Sequence, residues 1–334
     1  KILVDYQIFY LQKFGGISNY FFNLIKNLEN NNKYIIELYA PMYINNYIEL
    51  LPENIVKGIK LNLNKINLNF YINKYLFNFK QKLFDADIIH LTYYQTINRK
   101  NKNSKYILTI YDMIHEQFST FFDDHNTTNE KKKACEYADH IICISKNTKR
   151  NLIDKFNISE KKISVVYLGA DHLDNIPNIK NIIKKNFILY VGNRKGPKNF
   201  DNFIKSYSIN KNINRNYDVV VFGGERVNRN TLIEIKNLGI DLKNIHFLNG
   251  NEKILKNLYK NASLFVYPSL DEGFGLPPLE AMSQNCPVAA SDIEIFKEVL
   301  DNSCLYFNPY SIDDISLKIE KILNEKDLSK KLVN

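Results

Sequence analysis

The chain has 334 residues, 45% of them hydrophobic, and a net charge of +9; that is room for two globular domains with sizeable cores. No run approaches the roughly 18 apolar residues of a membrane helix, and Cys135, Cys143, Cys286 and Cys304 lack metal-ligand or CxxC spacing, as expected of reduced core residues in a cytosolic protein. The positive balance points to nucleic acid, an anionic membrane or an anionic substrate; without a nucleic-acid motif, and with basic residues spread over both halves, a diphosphate substrate plus an anionic membrane face is preferred.

Strand and helix patterns alternate, which predicts an α/β protein with parallel sheets covered on both faces. Strands are expected at 2–5, 34–39, 59–63, 87–91, 106–110, 140–144 and 163–167 in the first half. In the second half they are expected at 187–191, 218–222, 245–248, 263–267, 288–290 and 304–307. The opening residues read as a strand, not a signal peptide, and the absence of an initiator Met suggests a trimmed chain. Gly15 and Gly16 follow the first strand and open a helix at about 17–28, with Ser18 as a candidate cap. This is not GxGxxG, so a dinucleotide-binding oxidoreductase is disfavoured.

Residues 57–84 alternate basic and large apolar side chains. Tyr71, Ile72, Tyr75, Leu76, Phe79, Leu83 and Phe84 fall on one helical stripe, with Lys74, Lys80 and Lys82 outside it. Two readings stay open: a core-facing stripe with a wet basic face, or peripheral attachment to an anionic membrane. His90 ends a strand, which is expected to put it near the rim of a cleft, and His115 stands on the loop after the strand ending at Ile110. Asp123-Asp124 is not a metal-binding Asp-X-Asp placement. Helices are expected at 147–156, capped by Ser145, at 199–208 and at about 312–323. Residues 169–185 have little periodicity and carry Pro177, so they read as an interdomain linker. The expected domains are 1–172 and 173–334.

Two stretches in the second half carry chemistry. After the strand at 187–191, a loop holds Arg194, Lys195 and Lys198. Two cations beyond a strand end can clamp a diphosphate and neutralise the charge that builds on a leaving group. The later stretch runs strand, Glu272-Gly-Phe-Gly-Leu-Pro-Pro-Leu-Glu280, helix. Gly273 and Gly275 permit close backbone approach, Pro277 suits a first helical turn, and the helix start favours an anion. Glu272 can accept from sugar hydroxyls, and Glu280 from a ribose diol. Gly223-Gly224, after the strand at 218–222, fits close passage of a nucleotide.

Glu272-Gly-Phe-Gly-Leu-Pro-Pro-Leu-Glu280-Ala resembles the paired-glutamate motif of family 4 retaining glycosyltransferases. Asp5-Tyr-Gln-Ile-Phe and Phe14-Gly-Gly-Ile-Ser-Asn-Tyr-Phe are similar to the start of many polysaccharide-assembling members. The resemblance implies a GT-B fold, two Rossmann-like doubly wound domains facing each other across a cleft. It implies a metal-independent enzyme, without a cofactor, that moves a hexose-type sugar from a UDP- or GDP-linked donor to a glycan or lipid-linked acceptor. The cytoplasmic location, the peripheral membrane contact and the absence of a nucleic-acid partner are expectations from the cysteines, the charge and the lack of a motif. The family's catalytic cations fall on Arg194 and Lys198, with Glu272 beside them. The donor-binding positions fall on Gly15, Gly16, Gly223, Phe274, Gly275, Leu276 and Glu280, and the nucleobase region on 246–250. Many relatives close a first-domain strand with a histidine near the sugar; here Tyr111 stands there, so His115 is the first candidate and His90 the second. Relatives continue into a helix that crosses back onto the first domain, and that piece is expected to be missing. A nucleotide-sugar epimerase of the same fold, or a basic protein that binds nucleic acid or membrane, are the alternatives.

Overall fold

The computed structural model describes residues 1–334 except 32, 62–66, 96, 97, 99, 100, 102, 119, 120, 122–124, 174, 175 and 334, and the side chains of 67, 68, 125 and 126. Asp123 and Asp124 therefore lie outside the described residues, as does the end of the strand expected at 59–63. The chain divides into two compact units, Lys1–Val166 and Tyr167–Asn334.

In the first unit, β1 (Ile2–Val4), β2 (Ile36–Tyr43), β3 (Val56–Lys60), β4 (Ile88–Leu91), β5 (Lys105–Ile110), β6 (His140–Cys143) and β7 (Ile163–Val165) form one sheet in the order β3-β2-β1-β4-β5-β6-β7. In the second, β8 (Phe187–Val191), β9 (Asp218–Phe222), β10 (Ile245–Leu248), β11 (Leu264–Tyr267), β12 (Val288–Ser291) and β13 (Leu305–Phe307) follow the order β10-β9-β8-β11-β12-β13. Every pairing is parallel. Central strands such as β9, Asp-Val-Val-Val-Phe, are buried throughout because helices cover both faces. The strand order reverses between β1 and β4 and between β8 and β11. At such points the crossovers leave on opposite faces, and a crevice opens beyond the strand ends. No helix among the described residues is long and apolar enough to cross a membrane.

Local chemistry explains most helix ends. Ser145 caps Lys146–Phe156 by accepting from the Thr148 amide at 3.0 Å. Ser18 does not cap its helix. Gly15 is the N-cap of Gly16–Asn30, and the buried Ser18 hydroxyl donates back to the Gly15 carbonyl at 3.0 Å. The strand expected at 59–63 is β3, displaced to Val56–Lys60.

One of the two readings of residues 57–84 is set aside, and the supposed linker is more ordered than its sequence suggests. The stripe, on the helix Asn67–Leu83 and Phe84 beyond it, does not face the core: Tyr71, Tyr75, Phe79 and Leu83 are 70%, 74%, 55% and 68% exposed, and Ile72, Leu76 and Phe84 are half-buried. Asn73, Phe77 and Gln81 point inward instead. The reason lies in β2, whose register against β3 shifts between Tyr39 and Met42. Asn73 takes up both backbone groups of Met42 there, accepting from its amide at 2.8 Å and donating to its carbonyl at 2.9 Å. An apolar side chain would leave those groups unpaired.

The segment read as the interdomain linker lies between β7 and β8, and it is docked on the second unit. Leu173 is fully buried, Lys256 donates to the Ile176 carbonyl at 2.7 Å, and Asn257 donates to the Ile179 carbonyl at 2.8 Å. These backbone groups are satisfied by side chains of the helix Glu252–Asn261, so no periodic pattern was needed to fix the segment.

Candidate functional site

The loops that follow β8 and β11 meet because those strands are neighbours at the reversal of order. Contacts between them include the following. The Leu270 amide donates to the Pro197 carbonyl at 2.7 Å, Asn199 donates to the Pro268 carbonyl at 3.0 Å, and the Lys198 ammonium lies 2.5 Å from the Glu272 carboxylate. The Tyr267 hydroxyl sits against both ends of that pair, accepting from Lys198 at 3.1 Å and donating to the same Glu272 oxygen at 2.7 Å. Burial first, and then the Glu272 charge, hold the Tyr267 phenol well above its usual pKa, which keeps it a donor.

Arg194 leaves the same loop toward β9. Its guanidinium donates to the Gly223 carbonyl at 3.1 Å and to the Glu225 carbonyl, and its carbon lies 5.4 Å from the Phe247 ring centre. This close approach needs glycine at 224. The residue has φ +75°, and a Cβ there would stand 3.2 Å from both the Gly192 carbonyl oxygen and the Arg194 guanidinium. Tyr190 braces the loop from below, its hydroxyl donating to the Asn193 carbonyl at 2.6 Å. Lys195 is different: it is exposed, 3.7 Å from the equally exposed Glu225.

Gly275 is the N-cap of Leu276–Ser283, with φ +99° and the Phe296 ring 3.0 Å from where a Cβ would be. Pro277 and Pro278 carry no N–H, so the amides that open this helix are those of Gly275 and Leu276. Phe274 is buried and packs 5.9 Å from the Tyr167 ring. Glu280, in the same helix, is also buried. One of its oxygens accepts from Tyr259 at 2.9 Å, and the other is 3.2 Å from His172 Nε2. The hydrogen bond to Glu280 raises the His172 pKa against the opposing effect of burial.

His172, Tyr259 and Tyr267 are the site neighbours that the sequence reading missed. His172 stood in the supposed linker, Tyr267 closed the strand expected at 263–267, and Tyr259 lay in a stretch given no reading. Gly223 has φ +88°, and its amide donates to the Leu248 carbonyl at 2.9 Å. His246 is tied to Asp218 at 2.8 Å.

In the first unit, Gly16 opens its helix with free space where a Cβ would be. His115 is half-buried in the single turn Ile114–Gln117. The fully buried Lys131 steadies that turn, binding Glu116 at 2.8 Å and the Asp112 carbonyl at 3.1 Å. His90 is not at a rim. Its ring is buried against Phe21, its Nε2 is 2.9 Å from the Thr109 hydroxyl, and burial pushes its pKa down to about 4. It is a neutral core histidine at ordinary pH. Asp5 is fully buried at the end of β1 and accepts from Thr92 and Gln7. Burial raises its pKa to about 6.

Residues 14–172 match the model described as Glycosyltransferase Family 4, and residues 174–334 the model described as Glycosyl transferases group 1. The chain is similar to the O-antigen chain mannosyltransferase RfbU of Salmonella typhimurium, 36% identical over 182 residues, which are 53% of this chain and 49% of that protein. It thus spans about half the length of that relative. Sucrose-phosphate synthase from Thermosynechococcus elongatus superposes with a TM-score of 0.74 at 16% identity, covering 100% of this chain and 92% of the other. Anabaena Alr3699/HepE, solved with UDP and glucose, gives 0.72 at 13% identity, covering 100% and 92%. At such identities the likeness establishes the fold.

Proposed function

Because the chain belongs to the family 4 and group 1 glycosyltransferases, which here have the GT-B fold, we propose that it moves a hexose-type sugar from a UDP- or GDP-linked donor to a glycan or lipid-linked acceptor, with retention and without a metal. The observation that carries this is the meeting of Lys198 and Glu272, 2.5 Å apart, where the strand order of the second unit reverses. A pyrophosphate bound there would draw Lys198 from its carboxylate, and Arg194 would add a planar fork of donors.

The proposed step is a front-face displacement. The bond between the anomeric carbon and the leaving phosphate oxygen breaks, and the acceptor oxygen bonds to that carbon from the same face. The acceptor proton passes to an oxygen of the leaving phosphate. Arg194, Lys198 and the amides of Gly275 and Leu276 stabilise the charge that develops on the diphosphate. Glu272 and the backbone of Phe274, Gly275 and Leu276 position the sugar, Glu280 holds the ribose, and Gly223 allows the nucleotide to pass closely. Gly15, Gly16 and His115 are proposed to contribute from the first unit. The four buried, unbridged cysteines support action in a reducing compartment such as the cytoplasm.

Lys198→Ala and Glu272→Ala should each lower transfer by about 100-fold or more while the far-UV spectrum is kept. Near-normal turnover in both would sink the assignment. Donor incubated alone should stay unchanged, since conversion without acceptor marks an epimerase. Transfer should also survive EDTA.

A further inference from the structure

We propose that the outward face of the helix Asn67–Leu83 docks on an anionic lipid bilayer. Helical geometry at 100° per residue puts Tyr71, Tyr75, Phe79 and Leu83 within one arc opposite the buried Asn73, Phe77 and Gln81. All four are more than half exposed, on a helix whose inward face is already satisfied by β2 and Tyr106. Lys82, which the sequence reading set outside the stripe, is exposed within the same arc between Tyr71 and Tyr75, and Lys74 stands at its edge. Lys80, on the other edge, is paired with Glu37 at 2.6 Å and does not belong to the surface.

Charge selects the occupant. Between Glu53 and Asp85 the sequence holds six lysines and no carboxylate; Lys60 and Lys80 pair with Glu49 and Glu37, and Lys74 and Lys82 are the cations of this face. A second copy of this face would bring like charges together, whereas an acidic bilayer attracts them. Tyrosine suits such a contact because its ring enters the interface while its hydroxyl stays hydrated. The helix would lie in the plane of the surface, not across it.

The test is flotation of the full chain with phosphatidylcholine vesicles containing about 30 mol% phosphatidylglycerol, against phosphatidylcholine alone. The protein should co-float with the acidic vesicles at low salt and be released by high salt. Lys74→Glu/Lys82→Glu should weaken partitioning by at least roughly fivefold for each basic charge lost. Tyr75→Ser/Phe79→Ser should weaken it roughly tenfold or more with an unchanged melting temperature, since both rings are exposed.

The chain contains no tryptophan, so a Tyr75→Trp variant reports this face alone. Its emission should shift to the blue with acidic vesicles. Wild-type protein that stays at the bottom, variants that float like wild type, an unshifted emission, or a dimer abolished by the same substitutions would each overturn the proposal. The readout needs no donor or acceptor, so its failure is distinct from failure of the transferase reading.

Discussion

At the scale of single residues, the second unit pre-arranges its charged groups through neutral tyrosines. Tyr267 holds Lys198 and Glu272 together, and Tyr259 holds Glu280 from the buried side. Burial, and then the adjacent Glu280, raises the Tyr259 pKa well above its usual value, so it too remains a donor. His172 completes the Glu280 environment and makes it sensitive to pH. Its folded pKa lies above the unfolded value of 6.5. The stability it contributes is therefore fully present below pH 6.5 and is lost as pH rises through the folded pKa. Melting temperatures from pH 5.5 to 8.5 should show this loss in the wild type and a flatter profile in His172→Gln. Parallel profiles would mean that the pair contributes nothing.

At the scale of elements, the helix Asn67–Leu83 is oriented by a strand irregularity and not by its own hydrophobicity. Asn73→Leu adds an apolar side chain to a buried position but strands the amide and carbonyl of Met42. It should destabilise the protein by about 2–4 kcal/mol. Tyr75→Ser, which removes a large exposed ring, should stay within about 0.5 kcal/mol of wild type. Urea unfolding measures both, and the reverse order would show the helix to be misassigned. The turn after β11 depends on its backbone in the same way. Gly275→Ala would force an L residue to φ +99° against Phe296. A loss of roughly 1–3 kcal/mol is expected, together with weaker donor binding, since the Leu276 amide moves with the turn.

At the scale of the whole molecule, the two sheets repeat one scheme, a parallel sheet whose order reverses once. A nucleoside diphosphate that binds only the folded chain should raise its melting temperature. At about 100 times the dissociation constant the stabilisation is about 2.7 kcal/mol. A panel of UDP, GDP and their sugar conjugates would identify the base, and no shift with any of them would count against the nucleotide site. The strands among the described residues were legible because burial on both faces leaves short apolar runs between turn residues; β2 and β3 lay displaced, at Ile36–Tyr43 for 34–39 and at Val56–Lys60 for 59–63. The loops carrying Lys198 and Glu272 stood out because each follows a strand and gathers glycine, proline and charged residues.

The partners of those loops were not legible. Tyr259 and His172 lie 21 and 108 positions from Glu280 in the chain, and nothing local marks them. Periodicity, turn chemistry and caps act between near neighbours, so the amino-acid order alone determined the elements and the two charged turns. Which face of a helix looks inward, and which side chains close around a buried carboxylate, depend on unpaired backbone groups and distant residues. Those meet only when the chain folds, and there the tertiary structure decided.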